Sequence, residues 1–195
     1  MVRDMDVLYV KTDDYVMGEA AYPHIVRLAK RYAEENGLLM PEDAVIKKTK
    51  EGRPEIEGAE LDFSVSHSGR YWMCLFSDSK CGLDFQVIRR ADFVEIKNRY
   101  FNSGEKQYAS DELRFFDVWV RREALGKFIG DGMFGTKPDV AKGGFLVDDA
   151  LRGEIGASFH DLTYDMFKAA GITIADDFRA VVLTSKGEVP KIIEV

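Results

Sequence analysis

The chain has 195 residues, with 46% hydrophobic and 31% charged side chains and a formal net charge of −7. That is enough chain for one domain or two small ones sharing a core, and too apolar for a disordered segment. Residues 1–90 carry 13 Lys and Arg against 16 Asp and Glu, leaving 14 against 18 for the rest, so neither part is the basic domain that a general nucleic-acid binder needs.

The opening residues, Met1 to Asp6, are acidic and lack the apolar core of a leader peptide. Residues 7–10 suit a short strand. A helix is predicted over 23–36: Ile25, Leu28, Ala29 and Tyr32 recur at helical spacing, Pro23 fits the first turn and Gly37 the exit. Residues 45–49 and 53–56, separated by Glu51-Gly52, read as a hairpin. Residues 63–66 alternate and form a strand, with His67-Ser68-Gly69-Arg70 in a small polar loop after it. Residues 71–76 and 81–87 add two strands to the same sheet. The longest apolar runs are of this strand length, too short to span a bilayer. The two cysteines on these strands, Cys74 and Cys81, fit neither a zinc site nor a disulfide framework and suggest a reducing cytoplasm.

Short helices follow over 91–99 and 103–110, then a long one over 112–128, stopped by Gly130-Asp131-Gly132. The tail offers strands at 158–167, 172–175 and 180–184. Strands and helices in blocks argue for an α+β fold rather than a wound parallel sheet. Residues 88–92 are a plausible junction between an N-terminal part, 1–90, and a C-terminal part, 91–195.

Four stretches carry candidate chemistry. In Cys81-Gly82-Leu83-Asp84-Phe85-Gln86-Val87, strand alternation puts Cys81, Leu83, Phe85 and Val87 on one face and Asp84 with Gln86 on the other, about 7 Å apart. Two oxygen donors on rigid backbone suit a hard cation; an ordinary half-exposed strand has the same pattern. On the long helix, Phe116, Trp119, Glu123 and Lys127 share a stripe. Glu123 and Lys127 make either an i,i+4 ion pair or part of a site, since an acid beside Trp119 on a core-facing stripe is costly unless paired or ion-bound. In Ser64-Val65-Ser66-His67-Ser68, hydroxyls and an imidazole could hold phosphate oxygens, and His67 could equally be a surface residue. Lys47, Lys48, Lys50 and Arg53 offer either a solvated hairpin edge or a polyphosphate contact. The phosphate-loop and dinucleotide fingerprints and the Gly-x-Ser-x-Gly elbow are absent from the sequence.

In order and spacing, Gly52-Arg53-Pro54, Phe63-Ser64-Val65-Ser66-His67-Ser68, Gly82-Leu83-Asp84-Phe85-Gln86 and Trp119-Val120-Arg121-Arg122-Glu123-Ala124-Leu125-Gly126-Lys127 resemble the motif set of the surfactin-synthetase-activating (Sfp-type) 4′-phosphopantetheinyl transferases. The family pattern is roughly G-K-P, F-N-x-S-H-S, G-x-D-x-E and W-x-x-K-E-x-x-x-K, and the match covers about residues 52–134. The resemblance implies two similar α+β halves in a pseudo-twofold arrangement, with the active site in the cleft between them. It implies Mg2+ held by Asp84, Glu123 and, in place of the family's second acid, Gln86. It implies coenzyme A phosphates contacted by Arg53, Ser66, His67, Lys127 and Lys48. Glu123, Lys127 and His67 become the catalytic set, with Glu123 as general base for a serine of an apo carrier protein serving fatty-acid, polyketide or nonribosomal peptide synthesis. Two halves in one chain would let a monomer suffice, with no role for nucleic acid or membrane. Gln86 removes a negative charge relative to the pattern, and Arg53 and Arg122 stand where lysine is common. A non-catalytic relative that binds coenzyme A or a carrier protein is the competing expectation, and an unrelated magnesium phosphoryl-transfer enzyme a third.

Overall fold

The computed structural model describes residues 5–90, 93–132 and 153–195. The architecture is α+β, as expected, and its elements are arranged in layers. Strands β1 (Val7–Lys11), β4 (Asp62–Ser68), β5 (Tyr71–Ser77) and β9 (Lys191–Glu194) form one sheet in the order β4-β5-β1-β9. Strands β6 (Cys81–Val87), β7 (Ser158–Asp161) and β8 (Phe178–Thr184) form a second, in the order β6-β8-β7. A small hairpin, β2 (Ile46–Lys48) with β3 (Pro54–Ile56), stands beside them.

Helix α1 (Tyr22–Asn36) covers the outer face of the first sheet. Its stripe of Ile25, Leu28, Ala29 and Tyr32 packs on Tyr9, Trp72, Cys74 and Phe76. Pro23 lies in its first turn, and Gly37, left-handed at φ 68°, returns its N–H to Ala33 O. Helix α4 (Glu112–Ile129) covers the outer face of the second sheet, with Val120, Ala124, Leu125 and Phe128 against Phe159, Val181 and Leu183. Asp111 caps its start by accepting the Arg114 N–H, and Gly130 at φ 98° ends it. Between the sheets, Leu8, Val10, Met73 and Leu75 meet Leu83, Phe85, Phe178 and Val182 in a common core. Helices α2 (Val94–Tyr100) and α3 (Ser103–Tyr108) flank α4 near its start.

Several elements differ from the sequence reading. β4 continues through His67 and Ser68, so those residues are strand and not loop. β6 leaves the sheet of β4 and β5 and pairs antiparallel with β8, Cys81 opposite Thr184 and Val87 opposite Phe178. The span 158–167 is a four-residue strand followed by helix α5 (Tyr164–Ala169). Residues 172–175 form no strand; Ile172 and Ile174 bury in the inter-sheet core, and the Ala175 N–H donates to Tyr71 Oη. β9, parallel to β1 from Val7–Lys191 onward, is an addition. Ala91 and Asp92, at the start of the predicted 91–99 helix, lie outside the described residues.

Candidate active site

β4 and β6 run side by side without a shared backbone ladder. The N–H groups along one edge of β6 must then find other acceptors, because a buried, unpaired amide is costly. Side chains of β4 supply them at a constant offset. Asp62 accepts from Cys81 N, Ser64 from Leu83 N, Ser66 from Phe85 N and Ser68 from Val87 N, at 2.8, 2.9, 3.1 and 3.0 Å. The carbonyls of the same edge need donors. Arg53 reaches Cys81 O at 3.3 Å and Lys127 reaches Leu83 O at 2.9 Å. The split between the sheets therefore recruits the two cations that the sequence motifs single out.

On the α4 face of β6 lies Asp84, only 2% exposed. Its Oδ1 accepts from Ser66 Oγ at 2.7 Å and Lys127 Nζ at 2.8 Å, and its Oδ2 from Gln86 Nε2 at 3.3 Å. Gly82 lets α4 come this close: a Cβ there would lie 2.2 Å from the Ala124 carbonyl oxygen and 3.0 Å from Phe128 Cβ. Glu123 is half-buried and precedes Lys127 by one turn on the same side of α4. The Lys127–Asp84 contact thus carries the Glu123 side of the helix onto the Asp84 face of the strand.

Beside this pair opens a cavity of about 240 Å³, lined by Gly52, Arg53 and Pro54 of the hairpin, Phe63 to Val65 of β4, and Gly126, Lys127, Gly130 and Gly132 at the end of α4. Arg53 also pairs with Asp62, each side chain being 17% exposed. Three motif segments therefore meet in one cleft, and the fourth, the Asp84 strand, lies behind Lys127.

The other expected contacts are placed differently. Ser66 is buried and does not line the cavity; its hydroxyl is engaged with Asp84 and the Phe85 N–H. His67 is exposed on the opposite face of β4, its ring 6.0 Å from that of Tyr15. Lys48 is exposed and paired with Glu19, and Lys47 with Glu57. Gln86 Oε1 accepts from Ser68 Oγ at 3.3 Å. Arg122 reaches away to a bidentate pair with the fully buried Glu105, at 2.9 and 2.7 Å to Oε2.

No family model matches the chain. Among curated proteins it is 27% identical over 128 residues to the 4′-phosphopantetheinyl transferase gsp of Aneurinibacillus migulanus, covering 62% of this chain and 53% of that protein. It is 28% identical over 126 residues to the 4′-phosphopantetheinyl transferase psf-1 of Bacillus pumilus, covering 60% of this chain and 50% of the other. The chain is thus similar, over about three fifths of its length, to two 4′-phosphopantetheinyl transferases. It spans about half the length of the curated relatives it matches.

The donor set around Asp84 can be compared with what a divalent cation needs. Among the described residues no group of three or more His, Cys, Asp or Glu side chains is placed to hold a metal. Asp84 Oδ2 accepts from Gln86 Nε2 at 3.3 Å, and Glu123 lies one helical turn before Lys127, the partner of Asp84 Oδ1. Magnesium commonly takes one or two carboxylates and completes its shell with water and substrate phosphates, and the carboxylate chemistry of Asp84 is compatible with that. Among the described residues no helix is long and apolar enough to cross a membrane. Sequence reasoning misses Asp62 altogether, and takes Ser64 and Ser68 as phosphate contacts where they instead accept the N–H groups of β6. The signal was present as period-two polar residues on β4, but their partners lie 19 residues away on a strand of another sheet.

Proposed function

We propose that the chain transfers the 4′-phosphopantetheine arm of coenzyme A to a serine hydroxyl of an apo carrier protein, releasing adenosine 3′,5′-bisphosphate. The observation that carries this reading is the contact of Lys127 with the buried Asp84 beside the Arg53-lined cavity. Mg2+ held by Asp84 and Glu123 would offset charge on the diphosphate. Arg53 and Lys127 face the same cavity and would contact the phosphates. Glu123 would accept the serine proton, because a hydroxyl is a weak nucleophile without a base in reach. Ser66 would act through Asp84, which it holds, and His67 and Lys48 would contact phosphates only from the outer side of the hairpin and β4. Two halves, residues 1–90 and 91–195, would form the cleft within a monomer.

A second reading, a non-catalytic relative that binds coenzyme A or a carrier, is favoured by one observation: Arg53 and Lys127 already have acidic partners in Asp62 and Asp84. Mass spectrometry of apo carriers after incubation with coenzyme A and MgCl2 separates the two. The expected result is a gain of one phosphopantetheine with the wild type, abolished in Glu123→Ala. Coenzyme A binding without a covalent gain on any acyl or peptidyl carrier would transfer support to the second reading.

A further inference from the structure

Position 86 carries an amide where the family pattern has an acid, and its neighbours fix which way that amide faces. Ser68 Oγ already accepts the Val87 N–H at 3.0 Å, so its own proton serves another acceptor, Gln86 Oε1 at 3.3 Å. The other end of the amide lies 3.3 Å from Asp84 Oδ2. An ionised carboxylate only accepts, so the group facing it is the NH2, and the reverse flip would set two acceptors against each other. We propose that Gln86 is a positioning residue for Asp84: the relay from the Val87 N–H through Ser68 and Gln86 fixes Oδ2 without a cation and turns the amide oxygen away from it. With Ser66 and Lys127 on Oδ1, each oxygen of Asp84 has a donor. A glutamate at 86 would instead bring a second carboxylate against Asp84, a repulsion that at neutral or higher pH, where neither acid readily takes up the shared proton, a bound cation would relieve. The inference rests on the transferase reading only in taking Mg2+ as the ion concerned.

The test needs neither coenzyme A nor carrier, so it can fail separately from that reading. Thermal unfolding of the full chain is measured in EDTA and in MgCl2 for wild type, Gln86→Glu and Gln86→Leu. Gln86→Glu is expected to melt several degrees below wild type in EDTA and to recover most of the loss in MgCl2. Gln86→Leu is expected to lose stability equally in both. The inference is overturned if Gln86→Glu melts with wild type in EDTA, or if MgCl2 raises wild type and Gln86→Glu by the same amount. A second readout uses only folded wild type. The side-chain amide pair of Gln86, assigned by its disappearance in Gln86→Leu, should include one slowly exchanging, downfield-shifted proton in metal-free protein. A pair at free-glutamine positions and exchange rates would contradict the relay.

Discussion

His24 sits on the ring of Trp72, centroids 5.3 Å apart, and its Nδ1 faces Arg27 Nη2 at 2.6 Å. Burial, then the charges of Arg27 and Lys11, push its imidazole below the ordinary histidine value. The folded protein therefore holds His24 neutral at pH values where the unfolded chain has already taken up a proton. Stability from this site is complete above about pH 6.5 and falls as the pH drops through that value toward the lower folded one. Urea midpoints measured across that range should decline less steeply for His24→Gln than for wild type; parallel curves would remove His24 as a cause. At this scale the sequence was partly legible. Strand alternation put Asp84 and Gln86 on one face of β6, and helical spacing put Glu123 and Lys127 on one side of α4. What it could not supply was the partner of each charge. Asp62 for Arg53, Glu19 for Lys48 and Glu105 for Arg122 are set by approach in space, so a run of basic residues that reads as a phosphate patch is largely occupied.

Helix α4 and strand β6 are positioned by their closest approach at Gly82. Gly82→Ala would force a methyl group to within 2.2 Å of the Ala124 carbonyl, a backbone atom that moves only if the helix moves. The expected cost is about 1–3 kcal/mol, with loss of the Lys127–Asp84 contact and of the transfer activity proposed above. Denaturant unfolding and the transfer assay should therefore fall together; a variant that is destabilised but fully active would show that α4 can shift without disturbing the site. Elements with local signals were legible, because α1 and α4 carry their own period and their own stop residues, Gly37 and Gly130. The tail was less so. Residues 158–167 are apolar and aromatic enough for one strand, but the chain turns at Leu162 and Thr163 so that Phe167 can enter the inter-sheet core. Ile172 and Ile174 alternate like a strand while serving only as packing.

Among the described residues the two larger sheets lie back to back, each covered by a helix, and are joined along one margin by hydroxyls and a carboxylate. That margin predicts a local signature. Ser64→Ala leaves the Leu83 N–H buried without its acceptor, at about 1–3 kcal/mol. Amide exchange at Leu83 should accelerate roughly tenfold or more while β8 keeps its protection; uniform acceleration across the second sheet would mean the rung supports the whole fold. The membership of β6 was not legible, because Ser-x-Ser-x-Ser on β4 predicts a strand and says nothing of what lies beside it. Main-chain ladders look much the same whatever the side chains are. This margin is spelled out in individual codons, at positions 62, 64, 66 and 68, and so can be revised by single nucleotide changes. The frame of the candidate site is thus open to inheritance and drift in a way that an ordinary sheet interior is not.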